Sequence, residues 1–154
     1  MPKPDANEVC FVCRKHRGEI HVPGGVVFED ELFYVGHSNI PEGEERVYLG
    51  MLLIEPRHHA AAFEDLTETE ARELGWLITR VSRALKQVTQ AEHIYVFRLG
   101  HHVDHLHVWV IPRYPGTPRA YWGLNVDKWP DAPTGGEAEI AALCAQVREL
   151  LAAD

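Results

Sequence analysis

The sequence predicts an α+β domain with an antiparallel sheet of about five strands and helices packed on one face. Three observations favour this class: short segments rich in Val, Phe and Tyr recur along the chain, a long amphipathic helix lies in its middle, and a second helix follows near its end. With 154 residues, 45% of them hydrophobic and 25% charged, the chain has the size and composition of one globular domain. We expect residues 1–9 to be flexible and residues 10–154 to form the domain.

The β-forming residues are concentrated in short stretches bounded by Gly, Pro, Asn or Asp. Residues 37–47 are polar and predict a loop, and residues 112–136 carry five prolines and four glycines, which predicts an ordered but irregular loop. The proline at the end of the third stretch is expected to end that strand. The predicted strands are Val26–Asp30, Leu32–Gly36, Gly50–Pro56, Ile94–Leu99 and Val103–Ile111.

Two helices are predicted from capping and periodicity. Thr67 and Glu70 have the spacing of a capping box, in which each side chain accepts a hydrogen bond from the backbone N–H of the other. Apolar residues at helical spacing follow, and a second amphipathic pattern covers Glu137–Ala152. The residues expected to face the core are Leu74, Leu77, Ile78, Val81, Ala84, Leu85 and Val88 in the first helix, and Ile140, Leu143, Cys144, Val147, Leu150 and Leu151 in the second.

Charge and hydropathy exclude several classes of partner. The net charge of −8 argues against a protein that grips a nucleic-acid polymer, since such binding needs clustered Lys and Arg. Apolar stretches such as Met51–Ile54 are too short to span a bilayer, and the N-terminal residues lack a signal-peptide pattern. We therefore expect a cytoplasmic protein with no membrane partner.

Histidines are concentrated in the run HHVDHLHVWVIPR, from His101 to Arg113. If this run is a β-strand, His105, His107 and Trp109 share one face, while Leu106 and its alternate neighbours form an apolar face toward the core. Imidazole is suited to catalysis and to metal binding near neutral pH. Histidines that are simply half-exposed and hydrogen-bonded remain the alternative interpretation.

Cys10 and Cys13 form a CxxC motif, which in a reducing compartment indicates metal binding or redox activity more than a disulfide. Two thiolates at this spacing can bind one tetrahedral zinc ion together with histidines from elsewhere in the chain. His58, His59 and His105 are the candidates. A redox pair and two packed thiols remain alternatives.

These blocks, in this order, resemble the histidine-triad (HIT) superfamily of nucleotide hydrolases and transferases. The resemblance covers residues 10–113. It rests on CFVCRKHRGEI, VVFEDELFYVGHS, GMLLIEPRHH followed by FEDLTETE, and HLHVWVIPR.

The resemblance implies a HIT-like fold, a nucleotide substrate and a homodimer, with no organic cofactor. It implies that His107 is the nucleophile, which attacks the α-phosphate of a nucleoside phosphate, phosphoramidate or dinucleoside polyphosphate and forms a covalent nucleotidyl-histidine. It also implies a structural zinc ion. The zinc ligands would be Cys10, Cys13, His105 and His59, with His58 ranked after His59.

Substrate contacts are expected around the nucleophile. The resemblance places a ribose contact among His37, Ser38 and Asn39, and Arg98 or His101 are candidate donors to the charge that develops on phosphoryl oxygens. Trp109 stands where the third histidine of the triad is expected.

An indole donates one hydrogen bond and cannot shuttle a proton, so Trp109 leaves hydrolase and transferase both open. A nucleotide-binding protein with little turnover, and an enzyme whose histidine face holds a catalytic metal, are the alternatives.

Overall fold

The computed structural model describes residues 5–153 and contains a five-stranded sheet in the order β1-β2-β4-β6-β5, with every neighbouring pair antiparallel. A second, two-stranded sheet pairs β3 with β7. The predicted fold class is confirmed. The strands are β1 Val26–Glu29, β2 Phe33–His37, β3 Val47–Tyr48, β4 Leu52–Pro56, β5 His93–Phe97, β6 Val108–Arg113 and β7 Thr134–Gly135.

Two long helices, α3 (Glu68–Thr89) and α4 (Glu137–Ala153), pack on one face of the large sheet. α3 begins at the predicted capping box: the Glu70 N–H donates to Thr67 Oγ1 at 3.2 Å, and the Thr67 N–H donates to Glu70 Oε2 at 2.8 Å. The main core lies between these helices and the sheet. Its members include Val35, Leu52, Ile54, Leu77, Val81, Leu85, Leu106, Val108, Val110, Ile140, Cys144 and Val147.

The second face of the sheet is contacted by a short helix from the N-terminal part of the chain. Two short N-terminal helices, which the sequence analysis did not predict, precede β1: α1 (Ala6–Val9) and α2 (Phe11–His16). α2 contacts this face, where the ring of His16 stacks on Tyr34 with 4.6 Å between the ring centroids. The prediction of flexibility over residues 1–9 falls partly on residues 1–4, which lie outside the described residues.

The long loop predicted over residues 112–136 also packs on the second face. Val126 and the half-buried Tyr114 join a small apolar cluster with Ile111 and Trp109. The loop prediction needs correction at both ends, because residues 112–113 belong to β6 and Thr134–Gly135 form β7.

The strand predicted over Val103–Ile111 begins only at Val108. The pairing with β4 stops at Ile54 and Val108, although β4 itself continues to Pro56, so the residues before Val108 have left the sheet ladder. The N–H of Leu106 instead donates to the carbonyl of Ala60 at 2.7 Å. The alternation of sides nevertheless persists: Leu106 is buried in the main core, whereas His107 is on the other face.

None of the helices in the described part of the chain is long and apolar enough to cross a membrane.

Candidate functional site

Four side chains converge at the N-terminal end of α2. Cys10 Sγ lies 3.5 Å from His105 Nδ1, and Cys13 Sγ lies 3.5 Å from the same nitrogen. Cys13 Sγ also lies 3.4 Å from His59 Nδ1. The four potential ligand atoms of Cys10, Cys13, His59 and His105 all lie within 4.8 Å of one another.

This cluster has the dimensions of a tetrahedral zinc site. With Zn–S bonds of about 2.3 Å and Zn–N bonds of about 2.0–2.1 Å, tetrahedral angles give a sulfur–nitrogen separation of roughly 3.5 Å. The observed separations of 3.4–3.5 Å agree with that value. Two sulfur and two nitrogen donors with no position left for solvent are typical of a structural site.

The surroundings of His105 orient it as a ligand. Its Nε2–H donates to the carbonyl of Pro56 at 2.7 Å, which leaves the Nδ1 lone pair directed at the two sulfurs. Burial lowers the pKa of His105 to about 4, so the imidazole is neutral at pH 7, as a metal ligand must be. Burial, together with the hydrogen bond that the Cys13 thiol donates to the neighbouring Cys10, raises the pKa of Cys13 to about 11, and a dication would stabilise the thiolate instead.

The adjacent histidine, His58, has a different partner. Its Nδ1 lies 2.9 Å from Glu70 Oε1, at the first turn of α3. The structure therefore brings His59, and not His58, to the two cysteines.

A cavity of about 210 Å³ lies next to the cysteine–histidine cluster, between α2 and the second face of the sheet. His107 and Trp109 line it from the chain around β6, and Ser38 and Asn39 line it from the end of β2. The remaining lining residues are Phe11, Val12, Lys15, Leu53, Glu55 and Val103. The predicted zinc ligands Cys10 and Cys13 thus stand on either side of Phe11 and Val12, which form part of the cavity wall.

His107 is held in a single tautomer. Its Nδ1 lies 2.7 Å from the carbonyl oxygen of His105, and a carbonyl can only accept, so Nδ1 carries the proton. Nε2 is left with a free lone pair, which is the requirement for a nucleophile or a base. The half-buried ring of Trp109 is edge-on to His107, with 6.3 Å between the ring centroids.

A buried ion pair forms part of the cavity wall. Lys15 Nζ lies 2.6 Å from Glu55 Oε1, and His16 Nε2 lies 2.9 Å from Glu55 Oε2. Burial alone raises the pKa of the Glu55 carboxyl, but the hydrogen bonds and positive charge supplied by His16 and Lys15 outweigh it and hold the pKa below its usual value.

Not every predicted substrate contact reaches the cavity. His37 is fully buried, its Nδ1–H donates to the carbonyl of Ser38 at 2.9 Å, and its Nε2 accepts from the N–H of Gly50 at 3.0 Å. Both ring nitrogens of His37 are used within the fold, and the cavity lining does not include it. The predicted loop over residues 37–47 is wrong at its first residue, since His37 lies in β2.

Arg98 and His101 also lie outside the cavity lining. Arg98 donates to the carbonyl of Ala61 at 2.8 Å, which ties the turn after β5 to the segment that follows His59. His101 is exposed beside His102. Their predicted role as donors to a bound phosphate has no support in this arrangement.

Sequence reasoning missed the α2 side of the cavity. Phe11 and Val12 lie between the two cysteines, and Lys15 lies just after them. The CxxC motif was the available signal, because a metal that binds both cysteines and His105 would also hold these three residues close to the sheet. Glu55 had a signal of its own, since a carboxylate inside the apolar stretch MLLIEP requires a partner.

The family model for the HIT domain matches residues 19–116. Among solved structures, the chain is similar to a hypothetical histidine triad nucleotide-binding protein from Sulfolobus tokodaii, with a TM-score of 0.72 and 23% identity over 94% of this chain and 93% of that one. A Zn-bound histidine triad family protein from Mycobacterium smegmatis gives a TM-score of 0.69 and 21% identity over 96% and 99% of the two chains.

A histidine triad protein from Bradyrhizobium japonicum gives a TM-score of 0.63 and 28% identity over 82% of this chain and 89% of that one. No match was found among curated protein sequences.

Proposed function

The chain belongs to the HIT domain family, and on that premise we propose that it is a nucleotide hydrolase or nucleotidyltransferase. It acts at the α-phosphate of a nucleoside phosphate, phosphoramidate or dinucleoside polyphosphate, with His107 as nucleophile. The observation that carries this proposal is the hydrogen bond from His107 Nδ1–H to the carbonyl of His105, which leaves Nε2 unprotonated in the cavity.

The reaction has two displacements at phosphorus. His107 Nε2 donates its lone pair to the α-phosphorus, the N–P bond forms, and the bond from phosphorus to the leaving group breaks with its electron pair on the leaving group, which takes a proton from solvent. Water or a second substrate then attacks the same phosphorus, the N–P bond breaks, and the nucleophile's proton passes to solvent. Histidine is regenerated, and one difficult displacement is divided into two easier ones.

Ser38 and Asn39 are proposed to contact the ribose. Both line the cavity, and Ser38 is buried with a hydroxyl oxygen that has no hydrogen-bond partner among the described residues. A buried hydroxyl without a partner is costly, and a ribose hydroxyl would supply the missing hydrogen bond.

A structural zinc ion is proposed at Cys10, Cys13, His59 and His105, since these residues fit the ion in number, type and spacing. When bound, zinc would supply a rigid tie between α2 and the segment that leads into β6. His105 then has two roles in this chain: its side chain is a ligand, and its carbonyl fixes the tautomer of His107.

A homodimer is proposed through the edge strand β5. This strand pairs with β6 on one side, and Val96 and Leu99 are 43% and 48% exposed in and beside it. Apolar side chains at an open sheet edge are suited to an interface.

Trp109 favours one alternative, a nucleotide-binding protein with little turnover. Its ring stands beside His107 and cannot pass a proton to a leaving group. Substrates whose leaving group needs no proton from the protein would then react faster than those with a poor leaving group.

The test is a turnover assay of the zinc-loaded protein against nucleoside phosphoramidates, dinucleoside polyphosphates and nucleotides with activated leaving groups. His107→Gln should abolish turnover, whereas His21→Gln, at an exposed histidine that pairs with Glu137, should retain it. Tight binding without turnover across the panel would support the alternative. Equal turnover by the His107 variant would contradict the proposal.

A further inference from the structure

The ion pair in the cavity wall stands among apolar neighbours. Lys15 and Glu55 are 3% and 1% exposed, yet both line the cavity that contains His107. Desolvating two charges is costly, so a buried pair of this kind is weak evidence for stability alone. The rest of the lining near it is apolar and consists of Phe11, Val12, Leu53 and Val103.

The carboxylate of Glu55 lines the same cavity as the proposed nucleophile, His107. β4 and β6 are antiparallel, with Ile54 opposite Val108. Glu55 follows Ile54 in β4 and His107 precedes Val108, so both side chains point to the opposite face, where both line the cavity. Lys15 reaches the same carboxylate from α2. The ion pair therefore faces any molecule that enters the cavity.

The hydrogen-bonding capacity of the pair is not used up. An ammonium has three donors, and the only acceptor within hydrogen-bond distance of Lys15 Nζ among the described residues is Glu55, while the Tyr34 ring centroid lies 5.8 Å away. Each oxygen of Glu55 accepts one hydrogen bond, from Lys15 or His16, and each keeps a second lone pair. The pair thus presents adjacent donors and acceptors.

The cavity volume of about 210 Å³ is below the roughly 300–1,000 Å³ typical of pockets for drug-sized ligands, so it suits one planar ring system with the remainder of the ligand outside. Resting on the function proposed above, we propose that Lys15 and Glu55 recognise the nucleobase of the substrate. They select bases with a carbonyl oxygen next to a ring N–H, namely guanine, hypoxanthine and uracil, over adenine.

The chemistry of the two edges supports this choice. A carbonyl oxygen accepts from the ammonium, and the neighbouring ring N–H donates to the carboxylate, so both hydrogen bonds are charge-assisted. Guanine adds an exocyclic N–H that can reach the second carboxylate oxygen. Adenine presents an amino group and a ring nitrogen in the opposite order, which sets a donor against Lys15 and an acceptor against Glu55.

The experiment measures dissociation constants of the zinc-loaded full chain for GMP, UMP and AMP by calorimetry. Lys15→Met/Glu55→Gln removes both charges with little change in shape, and the Gln amide oxygen can still accept from His16. The matched control is Arg57→Met/Glu29→Gln, which removes an ion pair outside the cavity.

We expect the parent and the control to bind GMP and UMP at least about tenfold more tightly than AMP, as one lost charge-assisted hydrogen bond implies. The cavity double variant should bind all three within about threefold of one another. A parent without preference, a preference for AMP, or a preference retained in the double variant would each overturn the inference while leaving the proposed function standing.

Equal weakening of all three nucleotides would show that the pair only supports the cavity wall, which also overturns the inference. If none of the three binds to the parent, the proposed function fails with it. Because that result differs from loss of base preference, the two failures are distinguishable.

Discussion

Lys15→Met should destabilise the fold strongly, although it exchanges a charged side chain for an apolar one of similar length. Glu55 is only 1% exposed, and its carboxylate lies 2.6 Å from the ammonium of Lys15. The substitution removes this ammonium and leaves the carboxylate buried. Breaking a buried ion pair costs about 3–5 kcal/mol. His16 remains 2.9 Å from the other oxygen, so we expect the lower end, about 3 kcal/mol.

That loss is large for a domain of this size, since native domains are stable by roughly 5–15 kcal/mol. It corresponds to a fall in melting temperature of roughly 6–12 °C, at about 2–4 °C per kcal/mol. Urea unfolding of the zinc-loaded protein at pH 7, followed by tryptophan fluorescence, measures the free energy directly.

The double variant Lys15→Met/Glu55→Gln is the control, because it leaves no buried charge without a partner. It should recover most of the lost free energy of unfolding. Parent-like stability of Lys15→Met, or a double variant less stable than Lys15→Met, would show that an uncompensated charge does not cause a loss of stability.

Three further predictions concern zinc, His37 and pH. Chelation of zinc, or Cys13→Ser, should increase amide hydrogen exchange in α2 before the strands of the sheet exchange. Unchanged protection of α2 after chelation would contradict a structural role of the metal. His37→Phe removes the acceptor of the Gly50 N–H and should lower the free energy of unfolding by about 1–3 kcal/mol without changing KM. A changed KM at unchanged stability would instead show that His37 contacts the substrate. Burial lowers the pKa of His105 from 6.5 to about 4, so between these pH values the unfolded chain binds more protons than the folded one. The free energy of unfolding of the zinc-free protein should therefore fall as the pH drops from 6.5 to 4. A free energy of unfolding, measured with urea, that stays constant over this range would contradict the prediction.

Local patterns were sufficient for much of the fold. The capping box at Thr67 predicts the start of α3 because both of its hydrogen bonds form within four residues. The apolar face of α4 likewise follows from periodicity alone. Short elements that depend on distant partners were missed. β7 has only two residues and is stabilised by pairing with β3, where Gly135 lies opposite Val47.

The histidine run shows where periodicity is insufficient. Alternation correctly separates Leu106 from His107, but it cannot show that the pairing with β4 stops at Ile54 and Val108. The freed backbone has a use, since the carbonyl of His105 accepts from the ring of His107 instead of joining a strand ladder.

Contacts between distant segments determine which predicted residues share the site. Lys15 and Glu55 are far apart along the chain, and neither has a sequence motif that predicts the pair. Conversely, His37 lies next to Ser38 in the sequence, but strand alternation buries its ring on the opposite side from the cavity. Proximity in sequence could not separate the two.

Direct detection of a covalent intermediate on His107 is the sharpest test of nucleophilic catalysis by this residue. The zinc-loaded protein is mixed with excess nucleoside phosphoramidate, quenched within a turnover, and digested for peptide mass analysis under conditions that preserve phosphorus–nitrogen bonds. We expect one added nucleotidyl group on His107, which forms in His21→Gln and is absent in His107→Gln. Rapid turnover with no adduct at any quench time, or an adduct on another residue, would contradict it.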